Sequence, residues 1–124
     1  MSAAVSDYMP SERSGEKIGK AEELLLRLSR TPDILSEAGK ADGTLFVIGF
    51  AAETGRKIGN AKRKLQEKNI DMIVFNDVTE AGAGFDVDTN KVVLIDKKQE
   101  KELPLLDKNS VADAILDRMV EIRA

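Results

Sequence analysis

The chain has 124 residues, with 19 Lys plus Arg against 22 Asp plus Glu and a formal net charge of -3. It contains no Cys, no His and no Trp, which excludes a Cys or His zinc site, a thiol nucleophile, a disulfide framework and a Ser-His-Asp relay. The acidic balance argues against nucleic acid as a partner, and no apolar run approaches the ~20 residues of a membrane span, so one soluble, cytoplasmic domain is expected.

Residues 1–20 are polar and punctuated by Ser and Gly without a sustained period, and read as loop. Ala21 to Arg30 (AEELLLRLSR) is ambiguous: propensity favours a helix, whereas Leu24, Leu26 and Leu28 alternate as in a strand. Thr31-Pro32 is a helix-start signal, Thr as N-cap and Pro at the first helical position. A short helix is therefore expected over Pro32 to Ala38, with Gly39 as its stop. Leu45 to Phe50 (LFVIGF) is a nearly unbroken apolar run, as in a strand buried on both faces. Thr54 can cap a following helix that reaches Lys68, and Asp71 to Phe75 (DMIVF) is a second buried strand. Strand, helix and strand with short connections predict a right-handed, parallel βαβ unit. Ala81 to Gly84 is loop, and Val92 to Ile95 with Glu102 to Leu105 predict a hairpin around Asp96 to Gln99. Pro104 places the second hairpin strand at an edge. Ser110 is expected to cap a final amphipathic helix with Val111, Ile115, Met119 and Ile122 near one face.

Charge is uneven along the chain. From Arg56 to Lys68, six basic residues (Arg56, Lys57, Lys62, Arg63, Lys64, Lys68) stand against one acid, Glu67, a local +5 that leaves -8 on the remainder. Such a segment on an acidic protein suits a small anionic ligand, the alternative being a solvated helix face. In open α/β sheets ligands lie beyond the carboxyl ends of the strands, which here are Gly49 to Thr54 and Asn76-Asp77. At ~100° per residue, Ile58, Ala61 and Leu65 form the core stripe, and Lys57, Lys64 and Lys68 share a ~40° band beside it. Three flexible point charges on one flank suit a polyphosphate. In the leading loop, Asp7 can accept from ribose hydroxyls or hold a magnesium ion, and Lys17 can close over phosphates; ordinary surface charge is the alternative.

Several stretches, in this order, carry a resemblance: AAVSDY (Ala3 to Tyr8), EKIGK (Glu16 to Lys20), RTPDIL (Arg30 to Leu35), GFAAET (Gly49 to Thr54), KNIDMIVFNDV (Lys68 to Val78) and GAGFDVDTNKVVLID (Gly82 to Asp96). Together they cover nearly the whole chain. They resemble the phosphopantothenate-cysteine ligases of coenzyme A biosynthesis, the synthetase half of a bifunctional bacterial protein. The resemblance implies a Rossmann-like fold, a homodimer, and a reaction joining 4'-phosphopantothenate to L-cysteine with CTP and magnesium. In such ligases the substrate carboxylate attacks the α-phosphate of CTP, releasing pyrophosphate. The cysteine amine then displaces CMP from the acyl-cytidylate. The resemblance also favours a strand over Ala21 to Ser29, near the dimer contact.

Site residues carry over where the motifs match. Ala3 and Asp7 fall where the family contacts CTP, Asp7 at the ribose or beside the metal. Lys17 matches the flap lysine implicated in forming the cytidylate, where its charge would offset that of the departing pyrophosphate. Pro32, Asp33, Ile34 and Leu35 match a nucleotide-binding stretch, Phe50 a nucleotide contact, and Lys64 and Lys68 the helix lysines that bind nucleotide. Two departures stand out. Gly19 interrupts a flap that is richer in lysine in the family. The family's amino-terminal strands, with the asparagine that helps turn the intermediate over, have no counterpart here, and neither does the flavin-binding decarboxylase half.

The expectation is therefore the CTP-binding, carboxyl-terminal part of the ligase, incomplete for catalysis alone and without a flavin. The missing amino-terminal segment or the decarboxylase half would be its partner. The alternative is a non-catalytic dimerisation or nucleotide-sensing module. The fold is expected to be α/β, an incomplete Rossmann-like parallel sheet with flanking helices and a β-hairpin. Residues 1–20 would form a flexible leading loop or flap, and residues 21–124 the α/β core.

Overall fold

The structure is a computed structural model that describes residues 5–41, 43, 45–84 and 86–124. It divides into two compact units, Met1–Ile34 and Leu35–Ala124. The first is a small β-ribbon in which β1 (Tyr8–Pro10) pairs antiparallel with β2 (Leu28–Arg30), Tyr8 opposite Arg30. A strand thus stands within the stretch that reads as loop. The Thr31 hydroxyl donates to the Ser6 carbonyl at 2.6 Å, and Thr31 N–H donates to that of Asp7 at 3.0 Å. Those bonds zip the ends of the ribbon together and take Thr31 away from helix capping. The helix α1 (Ile34–Gly39) starts two residues later than Pro32. No helix forms over Ala21 to Arg30, and Leu24, Leu25 and Leu26 stay exposed.

In the second unit, β3 (Ile48–Glu53), α2 (Ile58–Glu67) and β4 (Met72–Asp77) form the expected parallel βαβ unit, with Ile48 opposite Met72 and Glu53 opposite Asp77. β3 lies three residues further along than its apolar run, and its main-chain pairing with β4 continues through Ala51 and Ala52 to Glu53. After β4 come β5 (Thr89–Asn90), β6 (Val92–Asp96), β7 (Glu100–Glu102), β8 (Leu106–Asp107) and α3 (Lys108–Arg123). The main sheet has the order β3-β4-β6-β7, and β6 runs antiparallel to both neighbours. The expected parallel sheet is thus a mixed one. Its hairpin is built into the sheet, and β7 ends two residues before Pro104. β5 and β8 pair antiparallel as a separate ribbon.

The two central strands alternate cleanly between faces. Ile73, Phe75, Val93 and Ile95 pack with Ala61 and Leu65 of α2. Met72, Val74, Val92 and Leu94 pack with Val111 and Ile115 of α3. This period of two explains why DMIVF and VVLI carry no polar interruption: each strand is covered by a helix on both sides.

The helix ends differ from expectation for local reasons. α2 begins at Ile58, with Lys57 at the N-cap position and no side-chain cap. Thr54 is not the cap, because Gly55 turns the chain first with φ 79°. The C-terminus is closed by Asn69 at φ 47°, which lets Asn69 N–H reach the Gln66 carbonyl at 3.1 Å and Ile70 N–H the Leu65 carbonyl at 3.2 Å. This is the Schellman pattern, with Ile70 packing on Leu65. For α3 the cap is Asp107, not Ser110: Asp107 accepts from Ser110 N–H at 2.9 Å and from its hydroxyl at 2.5 Å. Gly39 is the last residue of α1 and keeps a negative φ; the position takes glycine for a steric reason, because a Cβ there would lie 1.9 Å from the Lys68 carbonyl oxygen.

Candidate functional site

The sequence-derived residues divide between the two units. Ala3 lies outside the described residues. In the first unit Asp7 is exposed at the root of the ribbon, its carbonyl accepting from Thr31. Lys17 is exposed in the segment that joins β1 to β2, and Pro32, Asp33 and Ile34 are exposed at the exit from the ribbon. Here too Ile18, Leu24, Leu25 and Leu26 line a cavity of about 360 Å³.

In the second unit the carboxyl ends of β3 and β4 are fastened together. Asp77 Oδ1 accepts from Gly55 N–H at 3.0 Å, from Thr79 N–H at 2.9 Å and from the Thr79 hydroxyl at 2.5 Å. These donors, the Thr79 hydroxyl foremost, hold the Asp77 carboxyl below its ordinary range. The turn that leads into α2 is thereby tied to the end of β4.

Lys64 belongs to this end of the sheet, although it sits in the last turn of α2. Helical side chains lean toward the N-terminus of their helix, and the Lys64 stem runs back until Nζ donates to Glu53 Oε1 at 2.7 Å. Glu53 is the last residue of β3. Its carboxyl is held below the usual range, chiefly by the Lys64 hydrogen bond, with Lys57 and Asn60 reinforcing it. The lysine side chain is 41% exposed and that of the glutamate 17%, so the pair contributes no more than about 1 kcal/mol of stability. A ligand anion of higher charge can displace a pair this weak. Lys68 is the C-cap residue of α2 and has polar interactions of its own.

Phe50 is 70% exposed, and the pleat puts it on the sheet face opposite Gly49, Ala51 and Glu53. β3 has only β4 beside it among the described residues, so Phe50 stands at an open edge. Leu35 is half-buried against the α2-side core. A Cβ on Gly49 would approach its Cδ2 to 3.0 Å and Ile70 Cδ1 to 2.9 Å. The structure thus brings Lys64 to the end of β3, turns Phe50 to the other face, and uses the Leu35 side chain for packing.

Two cations of the basic segment meet acids distant in sequence. Arg56 pairs with Glu102 at 2.6 Å and Lys62 pairs with Glu100, both acids belonging to β7. Arg63 pairs with Glu67. Lys91 bridges Glu80 at 2.6 Å and Glu102 at 3.3 Å, and with Arg56 and Asp77 it rims a second cavity of about 170 Å³. No reading of local charge could have found this ring, because β7 meets α2 only through the folded sheet. Among the described residues there is no group of three or more carboxylates able to hold a metal ion. No helix there is long and apolar enough to cross a membrane.

Residues 1–122 match the family model for the DNA/pantothenate metabolism flavoprotein C-terminal domain. The chain belongs to this family. A relative from Bacillus subtilis, the coenzyme A biosynthesis bifunctional protein CoaBC, is 41% identical over 122 residues, covering 97% of this chain and 30% of the relative. A cysteine/cysteine sulfinic acid decarboxylase from an unknown prokaryotic organism is 38% identical over 125 residues, covering 98% of this chain and 35% of that protein. The solved C-terminal domain of a CoaBC protein is 44% identical, with a TM-score of 0.65, and the match covers 77% of this chain and 46% of that domain. The chain thus spans about a third of the length of the curated relatives it matches.

Proposed function

We propose that this chain is the CTP-binding part of a phosphopantothenate-cysteine ligase and serves coenzyme A biosynthesis. The observation that carries this reading is Lys64. Its ammonium is delivered to the carboxyl end of a parallel strand, where α/β sheets receive their ligands, in a chain 41% identical to a CoaBC protein. Lys64 and Lys68 hold the phosphates of CTP, the exposed Phe50 contacts the nucleotide, and Asp7 contacts the ribose or lies beside magnesium. Magnesium, when bound, neutralises phosphate charge. It commonly takes one or two protein carboxylates together with the phosphates, so a lone carboxylate such as Asp7 suffices. Lys17 supplies the positive charge that offsets the departing pyrophosphate as the acyl-cytidylate forms. The 4'-phosphopantothenate and L-cysteine steps, and the homodimer, belong to the same proposal.

The test is calorimetric titration of CTP into the wild type and into a Lys64→Ala/Lys68→Ala double variant. Binding should weaken by about tenfold or more, the loss of two charge-assisted contacts. Unchanged affinity in a folded variant would reject the proposal.

One observation favours a second reading. The matched segment also occurs in a relative that bears the name of a decarboxylase, as it would if the domain were an assembly module shared between different enzymes. Under that reading the double variant changes neither CTP affinity nor association state.

A further inference from the structure

Glu53 faces the very ammonium that the proposed function assigns to a phosphate. It is the last residue of β3, pinned by main-chain pairing opposite Asp77 and by its own carbonyl, which accepts from Val78 N–H at 3.0 Å. Its side chain cannot drift away with a flexible loop. The carboxylate accepts from Lys64 Nζ at 2.7 Å, and the charge of Lys57 adds to the lowering of its pKa. A lysine ammonium with a second cation acting on the same point is what a phosphate oxygen would seek. Glu53 is thus dressed as an anion in an anion site.

We propose that Glu53 is an internal competitor for the phosphate site. It holds Lys64 until a polyphosphate displaces it, and so sets the affinity and charge threshold of the site. The inference rests on the reading of Lys64 as a phosphate ligand. Two effects of the carboxylate oppose each other. By fixing the lysine stem it lowers the ordering cost of binding. By placing a negative charge within a few ångströms of the incoming phosphates it repels them. Against a ligand carrying several negative charges the repulsion dominates, because it scales with ligand charge and the ordering gain does not.

The decisive change is Glu53→Gln, which keeps an acceptor for Lys64 and removes the charge. CTP and inorganic pyrophosphate are titrated separately into wild type, Glu53→Gln, Lys64→Ala and the double variant, at low and high salt. Glu53→Gln should tighten both ligands by about fivefold at low salt, and the gain should shrink at high salt. In the Lys64→Ala background the gain should disappear, since the two residues act on one contact. Unchanged or weakened binding in Glu53→Gln overturns the competitor role, as does a gain that persists without Lys64. The outcomes separate this inference from the ligase reading. CTP binding that depends on Lys64 and ignores Glu53→Gln removes the competitor and leaves the ligase. Tightened pyrophosphate binding without any CTP binding leaves the competitor and removes the ligase. If neither ligand binds wild type or Glu53→Gln, the competitor fails.

Discussion

Arg118 closes its guanidinium on a single oxygen of Asp96, with Nη2 at 2.7 Å and Nε at 2.9 Å from Oδ2. The pair joins the middle of α3 to the end of β6, and its side chains are only 11% and 2% exposed. The other carboxylate oxygen accepts from Lys98 N–H at 2.7 Å and Gln99 N–H at 3.0 Å, which shapes the hairpin turn into β7. Removing Arg118 leaves a buried charge without its partner. Arg118→Ala should cost about 3 kcal/mol, measured by urea unfolding, and a loss below about 1 kcal/mol would show that water replaces the guanidinium freely.

The same carboxylate sets an acid limit. Burial pushes the Asp96 carboxyl upward, but the backbone N–H of Lys98 and the Arg118 side chain outweigh it, and the carboxyl lies below its ordinary range. A carboxyl with a depressed folded pKa contributes stability above its unfolded value of ~3.9. That contribution is lost as pH falls from there through the folded value. Thermal unfolding of the wild type should therefore shift to lower temperature as pH drops below about 4. Asp96→Asn should flatten part of that slope, and an identical slope in the variant would assign the acid limit to other carboxylates.

Gly39→Ala should be destabilising although glycine there keeps a negative φ. The added methyl would meet the Lys68 carbonyl oxygen at 1.9 Å, and two backbones must part to admit it. The expected cost is about 2 kcal/mol. Gly59→Ala makes the internal control, since a Cβ at that helical position meets nothing within 4 Å, and it should be neutral or stabilising.

Asp77 should matter more for ligand than for stability. Its three hydrogen bonds hold the Gly55 turn and Thr79 at the exposed end of the sheet. If CTP binds at the end of β3, Asp77→Ala should weaken its binding several-fold while the melting temperature falls only slightly. Equal CTP affinity in calorimetry would place the ligand away from this turn.

Local patterning carried much of this protein. The parallel βαβ unit was legible because LFVIGF and DMIVF each lack a polar face and a helical stripe separates them. The clustering of small residues at Gly49 to Thr54 likewise marked a strand end from composition alone. Capping was legible only in part. Asp107 and Ser110 both suit an N-cap by residue type, and the choice fell to the residue whose backbone leaves β8. Thr31 has good capping chemistry too, but a β-ribbon partner distant in sequence claimed its hydroxyl.

Periodicity and charge inventory are legible in the order of residues: which segments are buried on both faces, and that lysines share one flank of α2. Which charges meet is settled by the folded chain. Glu100 comes to Lys62 of α2, and Glu102 to Arg56 just before it, through the β6–β7 hairpin, and Glu53 comes to Lys64 where the turn at Gly55 leads β3 into α2. Periodicity is a property of neighbouring residues along the chain, whereas an ion pair depends on distance in space, and that distance exists only once the strands are in register.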